Sequence, residues 1–167
     1  MLGRVGAGDG PILIAFDGSP AARRAVSDAA RLLGPRPALV VTVWEPGLAY
    51  GISEVRPEGL LPTPMLDPSV ARSVDEGMHS QAEQVAGEGT ELARSLGLDA
   101  RPLAVPGERR VPDTILEVAQ DNDAAAIVVG SRGLSGLRAR VEGSTTNGLL
   151  KHASCPVIVV HEPRDDH

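Results

Sequence analysis

Residues 124–160 read AAAIVVGSRGLSGLRARVEGSTTNGLLKHASCPVIVV, and the reading of this stretch decides the fold. A short apolar run, Ala125–Val129, stops at Gly130. Gly133 follows, then Gly143 and Ser144 open a helical pattern that lasts to Ala153, and a second apolar run covers Val157–His161. Runs this short, rich in Val and Ile and nearly continuous, suit strands buried on both faces of a parallel sheet. A strand, a helix and a second strand in that order make a βαβ unit.

Working outward, three more such runs lie upstream: Ile12–Phe16, Ala38–Trp44 and Arg101–Val105. Helical patterns separate them. Ser19-Pro20 reads as an N-cap followed by Pro at the first helical position. Ala22, Ala25, Val26, Ala29, Leu32 and Leu33 mark the apolar face, and Gly34-Pro35 ends it. A second helix over Pro68–Leu96 places Val70, Val74, Met78, Ala82, Val85, Leu92 and Leu96 on one stripe. Its Gly77, Gly87 and Gly89 each cost about 1 kcal/mol relative to Ala, so a bend or fraying is expected. A third helix spans Pro112–Asp121, with Ile115, Val118 and Ala119 inward; the fourth, Ser144–Ala153, carries Lys151 and His152 where they favour its dipole.

The alternation predicts an α/β fold: a doubly wound, Rossmann-like, five-stranded parallel sheet of order 3-2-1-4-5 with helices on both faces. At 167 residues the chain fits one domain, with an ordered core over about residues 11–161. Glu45–Asp67, with four prolines and three glycines, is too long for an ordinary connection and is read as a mobile surface loop.

Composition narrows the function. A net charge of −6 argues against a nucleic-acid backbone binder. The single cysteine, Cys155, allows neither an intrachain disulfide nor a Cys-rich metal site, and suits a reducing compartment. Aromatics are 2% of the chain, so the core is aliphatic. No apolar run approaches the ~20 residues of a membrane span, and MLGRVGAGDG has no signal-peptide character. The expectation is a cytoplasmic domain without a membrane partner.

The chemistry concentrates in the opening stretch. Glycines allow close backbone approach to a ligand, and the free N–H groups at the start of a helix, here Ser144, Thr145 and Thr146, attract an anion. Arg132, Arg138 and Arg140 add positive charge. Turn and cap chemistry explains each glycine singly; the whole combination reads as a phosphate-binding loop. Asp17 ends the first strand, and order 3-2-1-4-5 sets it facing the Gly130 loop. There it can accept a ribose hydroxyl or help hold a phosphate-bound Mg²⁺. The plain alternative is an Asx-type turn.

These residues resemble the nucleotide-binding branch of the universal stress protein family, whose motif is G-x-x-G, nine residues, then G-[ST]. Gly130, Gly133, Gly143 and Ser144 meet it in full, and "ILIAFDGS", "VVTVWEP" and "LLKHASCPVIVV" are similar to the family over roughly Pro11–Val160. The resemblance implies an ATP-binding, stress-response regulatory protein that takes ATP with Mg²⁺ (or Mn²⁺). Gly130, Gly133, Gly143, Ser144 and Thr145 match the phosphate and ribose contacts, and Asp17 the first-strand acid. Ala15 lies near the adenine edge, and the main chain of Val43 would read adenine. Arg132 falls at a variable motif position. A homodimer through Val157–Val160 is also implied. Two departures stand out: PGERRVPDT, 106–114, is longer than the family's Gly-x-Pro entry to the third helix, and the 45–67 loop matches poorly.

Other readings fail on residues. Neither a Walker G-x-x-x-x-G-K-[ST] nor a G-x-G-x-x-G after the first strand is present, and there is no G-x-S-x-G elbow. None of His79, His152, His161 and His167 has an evident nucleophile partner, so no catalytic residue is assigned. A weak ATPase and a nucleotide-free interaction module of the same fold stand as alternatives.

Overall fold

The computed structural model describes residues 8–47, 67–131 and 144–161. Five strands, β1 (Ile12–Ala15), β2 (Pro37–Trp44), β3 (Asp99–Pro106), β4 (Ala126–Gly130) and β5 (Val157–Val160), alternate with four helices. These are α1 (Pro20–Leu33), α2 (Pro68–Ser95), α3 (Val111–Asp121) and α4 (Ser144–His152). All pairings are parallel and the strand order is β3-β2-β1-β4-β5, the doubly wound order expected above. The loop expected over Glu45–Asp67 falls mostly outside the described residues, as do Arg132, Gly133 and Gly143.

Period-two alternation divides the buried strand residues between two layers. Ile12, Ile14, Phe16, Ala38 and Val40 pack with α1 and α2. Leu13, Ala15, Leu39, Val41, Ile127 and Val129 pack with α3 and α4. β1 is buried at every residue, which is why its sequence runs apolar without alternation.

α1 starts as its sequence demands: the Ser19 side chain accepts from the Ala22 N–H at 3.1 Å, and Pro20 needs no donor. Leu32, assigned inward by periodicity, is 59% exposed, while Leu33 packs on the core. α2 is one unbroken helix through Gly77, Gly87 and Gly89. Its buried stripe also differs from the expected one. Ala71, Ala82, Ala86, Gly89, Thr90 and Ala93 are buried, while Val70, Val74 and Leu96 are exposed.

Lengths explain this. Twenty-eight helical residues extend about 42 Å, whereas the eight residues of β2 extend about 26 Å. The first turns of α2 therefore extend past the carboxyl edge of the sheet; Val70 and Val74 are exposed there, although Ala71 between them is fully buried. Over the sheet, small residues let the helix approach closely. A Cβ on Gly89 would stand 2.7 Å from the Phe16 ring. None of the helices among the described residues is long and apolar enough to cross a membrane.

Candidate functional site

The carboxyl edge of the sheet is notched at its centre. β1 ends at Ala15, paired with Val41, while β2 continues to Trp44. In a parallel ladder, successive residues of one strand turn their peptide groups alternately to the two neighbouring strands. The Phe16 N–H donates to Val41 O at 2.8 Å from the β1 side, and the Gly107 N–H donates to Trp44 O at 2.7 Å from the β3 side. The alternation thus turns the N–H and C=O of Val43 to the β1 side, past the end of β1.

The opposite wall is built the same way. Ile127 and Ser131 donate their N–H groups to Pro156 O and Val160 O on the β5 side. Gly130 therefore faces β1, two residues beyond the last β1–β4 pair, Ile14 with Val128. Val43 and Gly130 look at each other's side of the same notch.

The floor is the turn that leaves β1. Asp17, half-buried, accepts the Ser19 N–H on Oδ1 at 2.9 Å, and Gly18 adopts φ +80°, which glycine accommodates without strain. The Asx-turn alternative is thus met by one carboxylate oxygen; Oδ2 has no partner among the described residues. The hydroxyl of Thr42, buried, donates to Phe16 O at 2.8 Å and fixes the turn to β2.

Gly130 also has a packing reason that spacing alone could not separate from ligand approach. A Cβ there would lie 3.0 Å from the carbonyl carbon and oxygen of Ala21 in the first turn of α1. Backbone cannot swing aside as a side chain can, so the end of β4 admits the helix only as glycine.

Beyond β4, α4 begins at Ser144, which is exposed, whereas Thr145 and Thr146 are buried at 6% and 4% exposure. Ala15, Asp17, Val43 and Gly130 are thus grouped at the notch, with Ser144 and Thr145 opening the helix that follows its β4 wall. Arg110, exposed, pairs with Asp113 at 3.3 Å. Arg109 lines a separate hollow of about 290 Å³ beside β3 and α3, among Glu108, Glu117 and Asp121. Three carboxylates against one arginine make that hollow unsuited to a phosphate.

Two groups beside the notch escaped sequence reading. The indole of Trp44 stacks on the imidazole of His79, with ring centroids 5.3 Å apart. Asp75, also on α2, accepts the Gly47 N–H at 2.9 Å. The only sequence signal was a lone tryptophan at a strand end. Cys155 is half-buried, and partial burial raises its thiol above the usual 9.0. Among the described residues no group of three or more His, Cys, Asp or Glu is arranged to hold a metal ion.

Comparison with known proteins bears on this geometry. The family model described as "Universal stress protein family" matches residues 10–161. A universal stress protein of Thermus aquaticus is 31% identical over 152 residues, which cover 89% of this chain and 96% of that one. A universal stress protein of Mycobacterium tuberculosis is also 31% identical, over 90% of this chain but 47% of its own length, so the chain spans about half of that relative. Three solved structures share the fold. A universal stress protein of Archaeoglobus fulgidus in complex with dAMP has a TM-score of 0.55 at 23% identity, over 89% of this chain and 95% of that one. One in complex with cAMP has 0.58 at 21%, over 92% and 98%. One from Arabidopsis thaliana with AMP bound has 0.59 at 14%, over 94% of each.

Proposed function

The chain belongs to the universal stress protein family, and on that premise we propose that it binds an adenine nucleotide, ATP with Mg²⁺, in the notch above β1. The observation that carries this reading is the notch itself: two strands outrun β1 and turn the main chains of Val43 and Gly130 toward the Asp17 turn. Solved family members in complex with dAMP, cAMP and AMP support adenine as the base.

In this reading the Val43 peptide reads the adenine edge, with Ala15 beneath it, and Asp17 takes a ribose hydroxyl on the oxygen its turn leaves free. The phosphates run toward the start of α4. There the sequence supplies Gly130, Gly133, Gly143, Ser144 and Thr145 in motif spacing, and the helix N-terminus favours negative charge. Arg132 adds a positive charge beside them. The described residues offer Mg²⁺ no carboxylate cluster; in this reading phosphate oxygens hold the ion, with Asp17 as a protein candidate.

In this reading the protein acts as a regulatory, stress-response dimer whose output is a change of conformation or partner. The dimer forms through β5, Val157–Val160, an apolar edge without charge or proline.

Calorimetric titration of nucleotide-stripped protein with ATP and Mg²⁺ tests the proposal. Saturable heat is expected from the wild type and none from Gly143→Val, whose side chain occupies the phosphate approach. Asp17→Ala is expected to weaken binding. Equal affinity in wild type and Gly143→Val would sink the clamp.

A further inference from the structure

The Val43 peptide lies on a strand end that has lost its neighbour on the β1 side, so whatever fixes it must come from elsewhere. Three contacts do this. The Gly107 N–H holds Trp44 O from the β3 side at 2.7 Å. The Trp44 ring lies against His79, tilted by 37°. The Gly47 N–H, in a residue at φ +79°, reaches Asp75 Oδ1.

Asp75 and His79 are four residues apart on α2 and therefore share a face, one turn above the other. Both sit in the half of α2 that overhangs the sheet. Glu83 stands 3.6 Å from His79 on the next turn, with both side chains exposed. The indole Nε1 is buried, with no hydrogen-bond partner among the described residues. The ring contact with His79 is thus what the described residues offer this half-buried side chain on the α2 side. From the other side, Gly107 passes so close that a Cβ on it would stand 2.8 Å from Val43 Cγ1.

We infer that Asp75 and His79 are positioning residues for base recognition, clamping the end of β2 so that the Val43 peptide meets a purine edge in one fixed orientation. The inference rests on the nucleotide reading above and names what makes that site selective. A peptide presents one donor and one acceptor, and it separates a 6-amino from a 6-oxo purine only if it cannot re-orient to suit either. The overhang of α2 supplies that rigidity without touching the ligand.

The test compares ATP and GTP binding, each with Mg²⁺, in wild type, His79→Ala, His79→Phe, Asp75→Ala and Asp75→Asn, alongside thermal unfolding. His79 is half-exposed and Asp75 partly so, so the variants are expected to fold. Each alanine variant is expected to lose about tenfold in the ATP-over-GTP affinity ratio, with little change in Tm. Phe, which keeps the ring contact, and Asn, which keeps the acceptor, are expected to restore it. Trp44 is the only tryptophan, so its emission reports the clamp directly and is expected to shift in His79→Ala but not in Asp75→Asn. An unchanged ATP/GTP ratio in both alanine variants overturns the inference and leaves nucleotide binding standing. Equal loss for both nucleotides with a fallen Tm also overturns it, because the residues are then merely structural. A wild type that binds neither nucleotide overturns the inference and the nucleotide reading together.

Discussion

The two faces of the sheet are packed by different means. On the α1/α2 face, the helices bury mostly small residues, Ala22, Ala25, Ala29, Ala82, Ala86 and Ala93, with Gly89 set against the Phe16 ring, while the sheet meets them with Ile12, Ile14, Phe16, Val40 and Val128. On the α3/α4 face, Leu13, Leu39, Ile115, Ile127 and Leu149 fill the space with branched aliphatics. The first face is limited by approach distance and the second by volume. Lesions on them should therefore fail in opposite ways, by overpacking on one and by cavity formation on the other. The difference reaches the notch. Its Asp17 turn comes off the close-packed layer, while α4, which would receive phosphates, is carried by the volume-filled one.

The largest effect is expected from emptying the second face. Ile115 is fully buried on α3, and Ile115→Ala should cost about 3 kcal/mol, within the usual range for such truncations, read as a lower urea midpoint at unchanged slope. A loss under about 1 kcal/mol would mean that this layer collapses to fill the void and that the contrast between faces is false.

The next effect comes from filling the first face. Gly89→Ala adds one methyl group to a helix, which alone would stabilise it by about 1 kcal/mol. Here that carbon would meet the Phe16 ring and Val40 Cγ1 at 2.7–2.8 Å, and both residues are fully buried. Overpacking costs about 1–3 kcal/mol, so a net loss of about 1 kcal/mol is expected. Gly77 and Gly87 sharpen the comparison on the same helix, because a Cβ at either meets nothing within 4 Å. Gly77→Ala and Gly87→Ala should each raise stability by about 0.5–1 kcal/mol. Opposite signs for glycines on one helix would isolate packing from propensity; a gain at Gly89 would show that α2 can lift off the sheet at little cost.

This contrast also marks what the sequence could reveal. The parallel sheet was legible because runs such as Ile12–Phe16 and Ala125–Val129 carry no polar face, and the start of α1 because Ser19-Pro20 fixes it. The burial of α2 was not. Periodicity selects large apolar residues, and Val70 and Val74 carry that signal although they lie beyond the sheet edge. Ala86 and Gly89, which make the contact, look like filler in a hydropathy pattern. At the carboxyl edge, the places of Asp17 and Gly130 at strand ends were legible. The double reason for Gly130 was not, since the Ala21 backbone that presses on it is a tertiary neighbour. Nor could spacing pair Trp44 with His79, thirty-five residues away on a helix whose overhang depends on relative element lengths.

The smallest expected effect lies at the margin of the volume-filled face, where Cys155 packs beside β5. Partial burial disfavours the thiolate, so the folded thiol ionises above its usual 9.0. The folded state then holds its proton more tightly than the unfolded chain does. Its contribution to stability is complete below pH 9 and declines as pH rises through the folded value. Wild type should therefore lose slightly more stability between pH 8 and 10 than Cys155→Ala, measured by urea unfolding at each pH. The same protonation should make the thiol slow toward a disulfide reagent at neutral pH, with the rate climbing only in the alkaline range. Fast modification at pH 7 would place Cys155 in open solvent, and the apolar layer would then end before β5 rather than include its border.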